Sequence, residues 1–160
     1  MNSFSLNEII EFAIQIEQRG YSFYDNSLKR KDISKEAREI LTFLKFEEMN
    51  HEKTFINLRN EEDIASIIEA GDWQTVGSYL KTITESHIFN KPDAPIAMAS
   101  QAKNDKEIIE FAIAFEKDTL LFFHSLENSV SDEKTKAILK KIIAEEIGHI
   151  MKLKNFCKTE

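Results

Sequence analysis

Two short stretches place a carboxylate three residues before an imidazole: Glu48-x-x-His51 and Glu146-x-x-His149. Side chains three and four apart share one face of a helix, so within each stretch both groups reach the same region of space. Large apolar residues continue the same faces, with Leu41, Leu44, Phe55 and Leu58 around the first pair and Leu139, Ile142, Leu153 and Phe156 around the second. Two further stripes carry one carboxylate each. One reads Ile10, Ala13, Glu17, Gly20, Tyr24 and the other Ile109, Ala112, Glu116, Thr119, Phe123. Four carboxylates and two imidazoles are therefore aimed at one core.

A buried carboxylate without a partner is costly, and four together repel unless a cation joins them. No Lys or Arg falls on the inward stripes. Two divalent cations would balance the four negative charges. Oxygen-rich ligation with one imidazole per ion suits iron or manganese better than a structural zinc, which favours Cys and His. The candidate metal ligands are Glu17, Glu48, His51, Glu116, Glu146 and His149. Glu47 and Glu145 precede the ligands in both stretches but rotate off the inward stripe, which suits a solvated or ion-paired role. His124, near a helix end, and His87 are expected to take no part.

Four long helices must hold these groups. Periodicity predicts the first from about Leu6 to Lys29, opened by a Ser5/Glu8 capping box. The second runs from after Ser34 to about Arg59. The third opens at Asn104, three residues before Glu107, and reaches about Asn128; the fourth runs from near Ser131 to about Cys157. Short polar connections make hairpins of the first two and the last two, at about 5–59 and 104–157. Between them, a crossover at about 60–103 holds both prolines and Trp73. Its apolar spacing suggests short helices at Asp63–Ala70 and Trp73–Ile83, then an extended piece.

The halves repeat. Residues 7–14 read NEIIEFAI and residues 106–113 read KEIIEFAI, an offset of 99 that also aligns Glu17 with Glu116 and Phe23 with Phe122. An offset of 98 aligns Glu47, Glu48 and His51 with Glu145, Glu146 and His149. Repeated hairpins with a long crossover make an all-α four-helix bundle in one domain, 1–160, whose second and third helices run parallel.

Composition agrees. Four Gly and two Pro among 160 residues, against roughly 12% for the two together in average proteins, leave too few turn formers for a sandwich or barrel. At 42% apolar residues the chain is too hydrophobic for disorder. A net charge of −7 argues against nucleic acid, which wants a basic surface. No apolar run reaches the length of a membrane span. MNSFSLNEIIEF lacks a signal-peptide pattern, so the cytoplasm is expected. A lone Cys157 excludes an internal disulfide and a Cys-x-x-Cys pair.

The set of Glu17, Glu48-x-x-His51, Glu116 and Glu146-x-x-His149 across four helices resembles the ferritin-like di-iron carboxylate superfamily. The segments EQRGYSFY, FEEMNHEKTF and AFEKDTLLFF are most similar to its rubrerythrin-like branch. The resemblance implies a ferritin-like bundle holding two iron ions (Fe2+/Fe3+), with manganese or a mixed Fe/Mn pair as variants. Glu48 and Glu146 would bridge, and Glu17 with His51 and Glu116 with His149 would be terminal ligands. It further implies reaction with dioxygen or hydrogen peroxide in a homodimer, as a rubrerythrin-like oxidoreductase. The alternative is iron handling with ferroxidase-type oxidation and no sustained peroxidase turnover. Tyr24 lies two turns after Glu17, where ferritin-like proteins place a tyrosine beside the metal; otherwise it is a core aromatic with its hydroxyl bonded. Two departures stand out. The chain lacks the rubredoxin-like domain of rubrerythrins, so electrons must come from an external donor, rubredoxin-like or a flavoprotein. Thr119 also occupies the position where rubrerythrins carry an additional Glu.

Overall fold

The computed structural model describes residues 6–60, 93–130 and 132–159. These form five helices and no strand: α1 (Leu6–Leu28), α2 (Lys35–Asn60), α3 (Ala94–Gln101), α4 (Asp105–Ser129) and α5 (Glu133–Thr159). The Ser5/Glu8 cap, the short helices expected at 63–70 and 73–83, Trp73, His87 and Pro92 lie outside the described residues.

Helix starts follow from polar side chains that satisfy free amides. Ser34 Oγ accepts from Ala37 N at 3.1 Å. Asn104 Oδ1 accepts from Glu107 N at 2.9 Å, and Glu107 Oε2 in turn accepts from Lys103 N at 2.8 Å. Asp132 Oδ2 accepts from Thr135 N at 2.7 Å. Arginines close the other ends, where carbonyls are left without partners. Arg38 donates to the carbonyls of Leu28 and Arg30 at 2.8 and 2.9 Å.

The stretch before residue 104, expected to be extended, is helical at α3. The fixed φ of Pro95 suits a first helical turn, and Ala94, Ala97, Met98 and Ala99 are good helix formers. The rest of the reason is tertiary. Pro95 and Ala99 are buried, α3 packs against α1, and Arg30 donates to the carbonyls of Ala99 and Ala102 at the helix end.

α1 packs along α2 and α4 along α5, while α2 meets α5 and α1 meets α4. Two apolar clusters fill the interior. The first includes Ile10, Ile14, Phe55, Leu58, Phe122, Phe123, Leu139 and Ile142. The second includes Phe23, Leu41, Leu44, Ile108, Ile109, Ala112 and Leu153, with Ala99 and Ala102 from the α3 region. α1 and α5 enter the first cluster by their N-terminal halves, α2 and α4 by their C-terminal halves. The first pair therefore runs opposite to the second. Between the clusters all four helices switch from apolar to polar side chains at the same level.

Candidate metal centre

Each of the four long helices contributes to that level. Among the described residues, the buried carboxylates and imidazoles are Glu17 from α1, Glu48 and His51 from α2, Glu116 from α4, and Glu146 and His149 from α5, and no Lys or Arg is buried with them. The four carboxylates have no exposed surface. Each sits where an apolar residue would continue its stripe, so packing the apolar neighbours brings the polar groups inward with them.

Two groups converge, each with one donor atom per residue and all such atoms within 4.8 Å of one another. The first is Glu17, Glu48, His51 and Glu146; the second is Glu48, Glu116, Glu146 and His149. Glu48 and Glu146 belong to both. Glu146 lies between the rings, its Oε1 2.9 Å from His51 Nδ1 and its Oε2 3.0 Å from His149 Nδ1. The two rings stack with centroids 5.7 Å apart. Glu17 Oε2 is 3.5 Å from His51 Nδ1, and Glu116 Oε2 is 3.8 Å from His149 Nδ1.

Few of these atoms are satisfied by the protein. Both oxygens of Glu17, both of Glu48, Glu116 Oε2, Glu146 Oε1 and His51 Nδ1 lack a hydrogen-bond partner despite complete burial. Buried polar atoms are ordinarily paired. Six residues whose donor atoms converge while most of those atoms lack a hydrogen bond fit cations shared among them, by donor type as well as by geometry. The buried cluster could hold metal ions.

Without a cation, protons must balance the charge. Burial raises Glu17 to about 7 against its attraction to His51, and raises Glu116 to about 8 with help from Glu146. Burial, then the charges of Glu17, Glu116 and Glu146, hold Glu48 well above the carboxylate range. Burial pulls both imidazoles down but their carboxylate neighbours win, leaving His51 at about 11 and His149 at about 10. Glu146 goes the other way: burial raises it, and the protonated imidazoles of His149 and His51 beside it outweigh that, keeping it ionised.

The outward ring nitrogens meet carboxylates that a helical stripe did not assign to the core. His51 Nε2 is 3.2 Å from Glu145 Oε2, and His149 Nε2 is 3.8 Å from Glu47 Oε2. Each pair crosses between α2 and α5, so Glu47 and Glu145 face the opposite helix's imidazole. Their repetition before both ligand pairs was the only signal in the sequence.

Tyr24 is fully buried, and its hydroxyl donates to Glu116 Oε1 on α4. The tyrosine thus joins the cluster through the other half of the chain and not through Glu17, its neighbour on α1. Thr119 is buried on the same face of α4, and its hydroxyl has no hydrogen-bond partner. His124 is exposed. Tyr21 lies on the flank with Lys45 Nζ 5.2 Å from its ring.

Gly20 has a specific steric role. A Cβ built there would overlap Glu48 Oε2 and lie 2.7 Å from Glu48 Cδ and 2.9 Å from Phe115 Cε1. The Glu48 carboxylate therefore rests in a notch that only glycine leaves open. No helix among the described residues is long and apolar enough to cross a membrane. Comparison of the chain with known protein families, with curated proteins and with solved structures found no match.

Proposed function

We propose that the four long helices are a ferritin-like four-helix bundle whose core holds two iron ions, and that the protein is a rubrerythrin-like oxidoreductase acting on dioxygen or hydrogen peroxide. The observation that carries this reading is the pair of overlapping donor groups, buried between apolar clusters and sharing Glu48 and Glu146. Glu17 and His51 would complete one ion position, Glu116 and His149 the other. Iron held by this donor set would supply the electron-transfer chemistry toward the oxidant.

The chain's own groups do the rest. Glu48, with neither oxygen held by a hydrogen bond, is free to change how it spans the two positions. Glu146 is held between the imidazoles and keeps them facing inward. Glu145 orients the His51 ring from outside, and Glu47 faces the outer nitrogen of His149 at 3.8 Å, leaving each Nδ1 toward the centre. Phe55, Phe122 and Phe123 form an aromatic layer on one side, with Phe55 and Phe123 5.1 Å apart, that keeps water from the reacting groups. Reducing equivalents would come from a donor other than the cluster itself.

Anaerobic ferrous titration with elemental analysis, followed by peroxide or oxygen, tests the reading. Two irons per chain and steady peroxide consumption with a reduced donor are expected. One load of iron oxidised with no further turnover would replace the enzyme with an iron-handling protein, and fewer than about one metal per chain would remove the metal centre itself. Replacing an outer partner, Glu145→Ala, is expected to weaken metal binding by about tenfold or more, read by equilibrium titration. Unchanged affinity would show that Glu145 does not orient His51.

A further inference from the structure

The two donor groups match in residue type but not in their surroundings. Glu146 approaches His51 and His149 at nearly the same distance, 2.9 and 3.0 Å, so the shared carboxylate does not distinguish the two positions. The end carboxylates do. Tyr24 donates its hydroxyl to Glu116 Oε1, leaving Glu116 one oxygen without a hydrogen bond. In the sequence repeat Tyr24 aligns with Phe123, which has no hydroxyl. Both oxygens of Glu17 are accordingly without a hydrogen-bond partner.

The outer partners differ in the same direction. His51 Nε2 lies within hydrogen-bond distance of Glu145, at 3.2 Å, whereas Glu47 stands 3.8 Å from His149 Nε2, whose nitrogen is left without a bond. A carboxylate partner on the far nitrogen orients an imidazole and makes it a better ligand. A hydrogen bond accepted by one carboxylate oxygen draws negative charge from the whole group and makes it a poorer ligand, although lone pairs remain free.

Resting on the reading above, we propose that the two ion positions are unequal, that the position of Glu17 and His51 fills first, and that Tyr24 sets most of the difference by engaging Glu116. The ions are then taken up in order, and the position beside Tyr24 is the one that exchanges more readily.

The test is an anaerobic titration with cobalt(II) alone, followed by visible absorption and calorimetry, in the wild-type chain and in Tyr24→Phe, Glu17→Gln and Glu116→Gln. The wild type is expected to bind two ions in resolved steps. Glu17→Gln should remove the tighter step and Glu116→Gln the weaker. Tyr24→Phe should tighten the weaker step by about threefold to tenfold, the worth of one hydrogen bond, and draw the two steps together. The two Glu variants carry the test should Tyr24→Phe fail to fold. Steps separated only by the statistical factor, loss of the tighter step in Glu116→Gln, or a Tyr24→Phe titration identical to wild type would each overturn the proposal while leaving a two-metal centre in place. No cobalt bound to any variant would overturn the metal centre and this inference together.

Discussion

Adding ferrous iron or manganese to the metal-free protein is expected to raise its melting temperature more at pH 8 than at pH 5, and to release more protons at pH 5 than at pH 8. The sign follows from the charge balance of the buried cluster. Glu17 and Glu116 rise from an ordinary 4.5 to about 7 and about 8. For groups raised in the folded state, stability is greatest below the ordinary value and declines as pH climbs toward the folded one. His51 and His149 rise from 6.5 to about 11 and about 10, so they lose their contribution over a higher window in the same direction. Glu146 is lowered, and its contribution is lost only as pH falls below about 4.5. The metal-free chain should thus be most stable near pH 5 and weaken steadily through neutrality.

Metal binding reverses the slope. Ligands must shed their protons to bind a cation, so affinity grows with pH as proton competition fades. At a metal concentration about 100 times Kd, mass action stabilises the fold by about 2.7 kcal/mol. In a chain of this size that corresponds to roughly 5–10 °C. Differential scanning calorimetry from pH 5 to 8, with and without metal, together with proton release measured in weakly buffered solution, checks both parts. A melting temperature insensitive to metal, or a metal increment that does not change with pH, would contradict the charge balance derived for the cluster.

Gly20→Ala is expected to fold and yet lose tight metal binding. By helix propensity alone, an interior Gly→Ala should stabilise α1 by about 1 kcal/mol. Here the new methyl would overlap Glu48 Oε2 and stand 2.9 Å from Phe115 Cε1. Overpacking of this kind costs roughly 1–3 kcal/mol, so the net change should be mildly unfavourable. The carboxylate is the movable partner and will swing out of its notch. Because Glu48 belongs to both donor groups, its displacement harms both positions. Affinity should fall by more than about 100-fold, beyond the usual effect of losing an outer partner.

Gly148→Ala in α5 is the matched control. A Cβ there meets nothing within 4 Å, so the substitution should stabilise by about 1 kcal/mol and leave metal binding intact. Thermal denaturation and metal titration of the two variants side by side separate propensity from the notch. Metal affinity preserved in Gly20→Ala would mean that Glu48 is not a ligand in the position it occupies.

The all-helical class and the inward stripes were legible because both rest on local rules. Side-chain periodicity depends only on the turn of the helix, and Glu17, Glu48, His51, Glu116, Glu146 and His149 all fall on faces whose other members are apolar. The cap at Asn104 and the helix start after Ser34 were legible too, since a cap reaches only three residues along the chain. α3 was not. Its sequence forms a helix with the help of α1 and of Arg30, which lies far away in the chain and closes the helix end. Glu47 and Glu145 read as flank residues because a stripe describes one helix by itself. They found their partners only when α2 met α5.

Residue spacing along the chain is enough to say which side chains enter the core and that they occur twice. One helix's spacing settles which face a residue takes, and a repeat settles that both halves take it alike. Tertiary structure alone decided the pairings that make the halves differ. Tyr24 bonds to Glu116 and not to Glu17, Glu48 settles against the bare backbone of Gly20, and Glu145 comes closer to His51 than Glu47 does to His149. Each of these depends on how two helices approach one another. Such distances are set by the volume of every side chain packed between them, which no single helix encodes.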